Sequence, residues 1–279
     1  MKIVVGIDVG GSTTKIVGIR EENGKRTLIT PQFIKANDPV TATYGAFGKF
    51  TDENNISISD ISQVVMTGVG ASHVKRNLYG IECKRVPEFS CIGNGGIYLS
   101  GLDNAIVVSM GTGTAIVNAQ RGGNTEYLGG TGVGGGTLLG LSKLLVGAEA
   151  IEHIADLAEQ GDLAKIDLRI KDLAAKGKKH DLNADMTAAN FGNVSDLASK
   201  ADIAAGILNL VYETVGMVSI FASRSKGVRD IVLTGNLTSL DSCIKKFEEF
   251  NRMGYGVNFI IPENSEYSTV IGCAWSAFE

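Results

Sequence analysis

Apolar residues run along this chain in short β-branched blocks, and block after block ends in glycines and hydroxyl side chains. In "IVVGIDVGG", Ile3, Val4, Val5 and Ile7 are too few for a helix and read as a buried strand that closes on Asp8. The span "VVGIDVGGSTTKIVGI" (4–19) reads as strand, glycine turn, strand, and "AIVVSMGTGTAIVNA" (105–119) repeats that order. Each is followed by a polar turn and a further strand, "ENGKRTLITP" or "RGGNTEYLGG", and then by a helix, at Thr41–Phe50 or Gly135–Leu145. Two such β-β-β-α units, about 100 residues apart, indicate a duplicated domain.

The remainder alternates strand and helix. "QVVMTGVG" (63–70) predicts a strand and glycine loop, with a helix to about Leu78, a strand around Lys84–Val86 and a helix from Ser90. A polar helical stretch over 149–178 precedes a long apolar helix, Lys200–Arg224. The strands "DIVLTGNLTS" and "NFIIP" and a closing helix, Ser268–Phe278, complete the pattern. The sequence therefore predicts an N-terminal domain over 1–100 and a C-terminal domain over 101–279, with a helical insertion near 150–200. Strand-to-glycine turns at 8–11, 67–70, 110–113 and 234–236 are expected to meet at one cleft, because ligands of open α/β sheets sit off such strand ends.

Composition narrows the classes. The chain has 279 residues, 44% hydrophobic and 20% charged, as expected of a globular protein. Its net charge of −4, without a Lys/Arg cluster, argues against nucleic acid as a partner. The stretch 204–223 has membrane length but carries Glu213 and no basic flank, so it reads as a buried helix and no membrane association is expected. No apolar run precedes Asp8 that is long enough for a signal peptide, and Cys83, Cys91, Cys243 and Cys273 form no CxxC pair. Free thiols in a cytoplasmic protein are expected. Glycine is the outlier, at 36 residues, about twice the usual ~7%, and clustered.

The clusters carry the candidate chemistry. In "GIDVGGSTTK", a carboxylate that is costly to bury precedes Gly10, Gly11, Ser12, Thr13, Thr14 and Lys15. Backbone N–H groups and hydroxyls there suit an anion, and equally suit a plain hairpin turn. Gly134, Gly135 and Gly136 open a helix, which predicts unpaired N–H groups directed at a phosphate.

Paired hairpins after Asp8 and Ser109, with a glycine loop at Gly235, resemble the actin-like superfamily of sugar kinases and heat-shock ATPases over the whole length. There the two hairpins grip ATP, and the strand-end aspartate positions Mg²⁺. No P-loop motif is present. "SMGTGTAIV", "YLGGTGVGGGTLLGLSKLL" and "DMTAANFGNV" are similar to type II pantothenate kinases within that superfamily. The resemblance implies two ribonuclease H-like, actin-type α/β domains with a nucleotide cleft between them. It also implies a homodimer, and MgATP-dependent phosphorylation of pantothenate to 4′-phosphopantothenate.

By the same resemblance Glu88, in "RVPEFSC", is the catalytic carboxylate, and Asp8 is the magnesium ligand. Asp8 to Lys15, Thr112, Gly113, Gly134 to Gly136, Thr137, Leu138, Leu139 and Asn236 line the nucleotide. The family carries an arginine facing pantothenate where this chain has Tyr127, so Arg121 or another cation takes over or the substrate differs. The activator ATPases of acyl-CoA dehydratases are the rival reading. They hold an iron–sulfur cluster on two cysteines per chain; Cys91 stands near one, and no cysteine stands at the other.

Overall fold

The computed structural model of the protein describes residues 2–11, 13–35, 38–173 and 183–278. Strands β1 (Lys2–Val9), β2 (Thr14–Glu22) and β3 (Lys25–Ile34) form an antiparallel meander. After helix α1 (Pro39–Glu53) come β4 (Ile61–Thr67) and β5 (Cys83–Arg85), which add in parallel and give the order β3-β2-β1-β4-β5. Helix α2 (Glu88–Ser100) leads to a second meander, β6 (Asn104–Met110), β7 (Thr114–Gln120) and β8 (Glu126–Thr131), and to helix α3 (Gly135–Leu145).

Helix α4 (Ile151–Ala158), strand β9 (Leu168–Arg169), helix α5 (Ile170–Leu173) and strand β10 (Thr187–Ala189) follow, then α6 (Lys200–Lys226). Strand β11 (Asp230–Thr234), helix α7 (Asp241–Arg252), strand β12 (Asn258–Ile260) and helix α8 (Ser268–Trp275) end the fold. The second sheet, β12-β11-β6-β7-β8, repeats the first in order and in sense. The expected helix before Leu78 is a 3₁₀ turn, Val69–His73, because glycines at 68 and 70 interrupt it. The polar stretch expected to be helical over 149–178 breaks after α4 into a 3₁₀ turn and a two-stranded ribbon, and 174–182 lie outside the described residues.

Strand parity explains how the halves meet. Ile3, Val5, Ile7 and Val9 of β1 point to one face and pack with Phe47 and Phe50 of α1. Val4 points to the other face, against Val270, Ile271, Cys273 and Ala274 of α8. In β6, Ile106, Val108 and Met110 face α6, while Ala105 and Val107 face Ile92 and Ile97 of α2. Helix α8 therefore covers the first sheet and α2 the second, so each helix crosses to the opposite half. A division at residue 100 does not match this packing.

The two crossing helices touch backbone to backbone. A Cβ on Gly95 of α2 would lie 1.9 Å from the Ser268 carbonyl oxygen, and one on Gly272 of α8 would lie 2.0 Å from the Cys91 carbonyl oxygen. Only glycine permits that approach. Helix α6 is long and apolar enough to span a membrane, yet 72% of its apolar window is buried inside the protein. It is capped by Ser199 and Asp202 at one end and by Gly227 in the left-handed conformation at the other.

Gly95→Ala should cost about 3 kcal/mol or more through overpacking. Exposed Gly45 of α1, with open space around its Cα, should gain up to ~1 kcal/mol on substitution by alanine. Urea unfolding of the two variants checks both signs.

Candidate functional site

The parity that lays Val4 on α8 also brings Asp8 out at the end of β1, on the face turned towards the second half. Ser109 occupies the same place at the end of β6. Between them lies a cleft of about 450 Å³ whose lining includes Asp8, Gly10, Gly11, Thr13, Lys15, Glu88, Thr112, Gly113 and Asn236. The candidate residues of both hairpins, the carboxylate of α2 and the glycine loop after β11 are thus brought together. Thr14 starts β2 as a buried residue, and Ser12 lies outside the described residues.

Burial lifts the Asp8 carboxyl to about 6, with Lys15 pulling it back and Glu88 adding to the rise. Lys15 faces Asp8 across the β1–β2 register, and burial holds its ammonium below the usual lysine range. The Lys15 Nζ donates to the Asn236 side-chain oxygen and to the Glu266 carbonyl, and lies 5.6 Å from the Tyr267 ring centroid. A first-sheet lysine therefore grips two loops of the second half. Nothing in the sequence marked Glu266 or Tyr267, which precede the last helix and meet Lys15 only through the fold.

Glu88 is the first residue of α2, behind Pro87, whose extended backbone ends the preceding segment. Burial raises its carboxyl above the usual range, against the pull of the helix N-terminus. Such a carboxylate is a stronger base than a solvated one.

The triple glycine corrects the reading of α3. Its N–H groups are not free: Gly135 donates to the Gly111 carbonyl and Gly136 to the Thr112 carbonyl, both at 2.9 Å. Cβ atoms on Gly134 and Gly136 would sit 2.8 Å and 3.1 Å from the Thr112 carbonyl oxygen. The glycines let a helix end press onto the second hairpin loop. In a trans peptide the N–H opposes the C=O. Fixing the Gly111 and Thr112 carbonyls on α3 therefore turns the Thr112 and Gly113 N–H groups away from the helix, in a loop that lines the cleft. Gly134, Gly135 and Gly136 act one layer behind the cleft wall.

Three further candidates, Thr137, Leu138 and Arg121, stand outside the cleft lining. Leu138 points into the core and is fully buried, while Thr137 bonds the Gly132 carbonyl and caps α3. Leu139 lines an adjoining cavity of about 650 Å³ that shares Thr13, Lys15, Asn236 and Glu266 with the cleft. Arg121 lies beyond the far end of β7, its guanidinium on Asp103 at 2.8 Å and on the Leu102 carbonyl, so it does not reach the cleft.

Tyr127 of β8 stacks on Phe89, next to Glu88, with ring centroids 4.1 Å apart. The "DMTAANFG" segment bonds to α6 rather than to the cleft, Thr187 and Asn190 both donating to Glu213. Asp185 pairs with Lys171 instead of capping a helix. Cys91 is fully buried in the cluster beneath α8, an unsuitable place for a cluster ligand shared between chains.

Comparisons place this architecture. An activator of 2-hydroxyisocaproyl-CoA dehydratase from Clostridium difficile, solved with bound ADPNP, superposes with a TM-score of 0.69 at 17% identity over 99% of this chain and 94% of its own. Component A of the Acidaminococcus fermentans (R)-2-hydroxyglutaryl-CoA dehydratase gives 0.70 at 19% identity, over 99% and 97%. The fold is therefore the two-domain actin-like ATPase fold. Curated relatives include type II pantothenate kinases of Oceanobacillus iheyensis, 31% identical over 98% of this chain and 99% of the relative, and of Staphylococcus aureus, 28% over 97% and 98%. The family described as Fumble matches residues 104–259.

Because Asp8 binds its proton more tightly folded than unfolded, its ionisation destabilises the fold as pH rises from about 3.8 through about 6. Asp8→Asn should melt a few degrees above the parent at pH 8 and at the same temperature below pH ~3, where both states are protonated. Thermal melts across that range check it. The hairpins, the glycine-led α3 and the whole-length relatives together make this chain a member of the type II pantothenate kinase family.

Proposed function

We propose that the protein transfers the γ-phosphoryl group of ATP to the primary hydroxyl of pantothenate, giving 4′-phosphopantothenate, the first step towards coenzyme A. The carrying observation is that Glu88 shares one cleft with both glycine–hydroxyl hairpins. Phosphoryl transfer requires positioning and charge stabilisation more than covalent help from the protein.

In this reading the Thr112 and Gly113 N–H groups and the first hairpin hold the phosphates. Lys15 leaves Asn236 and Glu266 to meet their charge. The cavity bordered by Leu139, Asn236 and Tyr267 takes the nucleoside. Glu88 orients the acceptor hydroxyl and accepts its proton as the phosphorus–oxygen bond forms.

The donor set fits Mg²⁺. Among the described residues no group of three or more His, Cys, Asp and Glu side chains forms a metal cage. Magnesium is commonly held by one or two carboxylates and substrate phosphates. Asp8, kept partly protonated near neutrality by burial, is the carboxylate a dication would discharge. When bound, the ion would neutralise charge between the phosphates. A cytoplasmic homodimer acting on a small-molecule substrate completes the proposal.

Glu88→Gln should lower turnover by roughly a hundredfold or more while ATP still binds. ADP release measured with pantothenate, pantetheine, hexoses and no acceptor checks both base and substrate, and unchanged turnover removes Glu88 from the role. Both carboxylates act ionised and both are raised, so kcat/KM should fall as pH drops through about 6, at a lower pH when Mg²⁺ is raised.

A further inference from the structure

Lys15 stands where the two cavities meet. The cleft of about 450 Å³ and the adjoining cavity of about 650 Å³ have four lining residues in common, Thr13, Lys15, Asn236 and Glu266. Two contacts of the Lys15 Nζ, to the Asn236 side-chain oxygen and to the Glu266 carbonyl, run between members of that set. They join the first sheet to the second half where one cavity passes into the other.

Both ends of the contact rest on anchored backbone. Lys15 belongs to β2, the middle strand of the first meander, with Asp8 opposite it on β1 and Phe33 on β3. Asn236 follows Gly235, which has φ 94° and where a Cβ would lie 2.5 Å from the Met110 carbonyl oxygen, so its loop is pressed onto β6. That loop is tied to the one carrying Glu266. The Gly235 N–H donates to the Ser265 carbonyl at 3.1 Å, and the Thr238 and Ser265 hydroxyls are 2.7 Å apart. The Tyr267 ring, its centroid 5.6 Å from the ammonium, adds a third contact. A free lysine samples many rotamers. This one is held by a cradle assembled from two loops.

We propose that this contact is a latch that selects ligands by phosphate charge: it closes the passage between the cavities until a polyphosphate draws Lys15 away, making Lys15 specificity-determining for nucleotide over nucleoside. The inference rests on the placement of ATP proposed above. A nucleotide with its phosphates on the hairpins and its nucleoside beside Leu139 must cross the border that Lys15 closes. Phosphate oxygens are anionic, so the ammonium gains an ion pair when it exchanges its present neutral acceptors for them. A nucleoside offers no such exchange. To pass, it must strip the ammonium of its acceptors, and burial already disfavours that charge.

Calorimetric titration with adenosine and with a non-hydrolysable ATP analogue tests the latch. Lys15→Met nearly keeps the length of the side chain and removes its charge. It should bind adenosine at least ~3-fold more tightly than the parent, and the analogue at least ~10-fold more weakly. The opposite signs are diagnostic. A plain phosphate contact leaves adenosine binding unchanged and a purely structural contact weakens both ligands; either result overturns the latch. A second measurement needs no variant: in crystals of the parent with the analogue, the Lys15 Nζ should lie on a phosphate oxygen, away from Asn236. Analogue bound with Nζ still on Asn236 and Glu266 overturns the latch and leaves the kinase reading standing. A parent that binds no nucleotide overturns that reading, and the latch with it.

Discussion

Helix α2 lies on helix α8 with no side chain between them at Gly95 and Gly272, and the geometry of the whole cleft follows from that contact. Each helix belongs by packing to the sheet of the other half, so the crossing joins the two halves at closest range. It also decides where the chemistry sits. Glu88 is the first residue of α2, and α8 covers the face of β1 from which Asp8 emerges. A side chain at either glycine would drive the helices apart and separate the two carboxylates. Two lobes joined at a narrow crossing can also pivot, which is the motion a kinase needs to close over its nucleotide and exclude water.

The backbone donors of the cleft wall are arranged in two layers. Helix α3 spends its first N–H groups on the Gly111 and Thr112 carbonyls, and by that exchange the loop's own N–H groups are turned from the helix. The partial positive charge of the helix end is passed to the cleft through two peptide units. Consecutive glycines weaken a helix start. Their return is a loop with fixed donors, and preorganised donors are the largest source of electrostatic catalysis. Lys15 complements this from the first sheet, already on the Asn236 and Glu266 loops.

Much of the plan was legible in the chain because it depends on local periodicity. The two meanders, their hairpins and the strand-end Asp8 fall where β-branched runs and glycine clusters place them. Parity then put Asp8 and Ser109 on corresponding faces. The reading failed where a local pattern had two structural uses. Glycines at a helix start suit a bound anion and suit a close backbone neighbour; here Thr112 is that neighbour. Arg121 was one candidate to replace the family's arginine at the position of Tyr127, but the turn after β7 sends it to Asp103.

The sequence by itself determined the duplicated α/β units, the two hairpins and a carboxylate at the head of α2, because strand period, turn chemistry and helix starts are encoded within a few residues. Tertiary structure decided which half each crossing helix serves, which N–H groups remain for a ligand, and that Lys15 of the first sheet reaches the Asn236 and Glu266 loops of the second half. Those are contacts between segments far apart in the chain, fixed by backbone approach and burial rather than by any local preference.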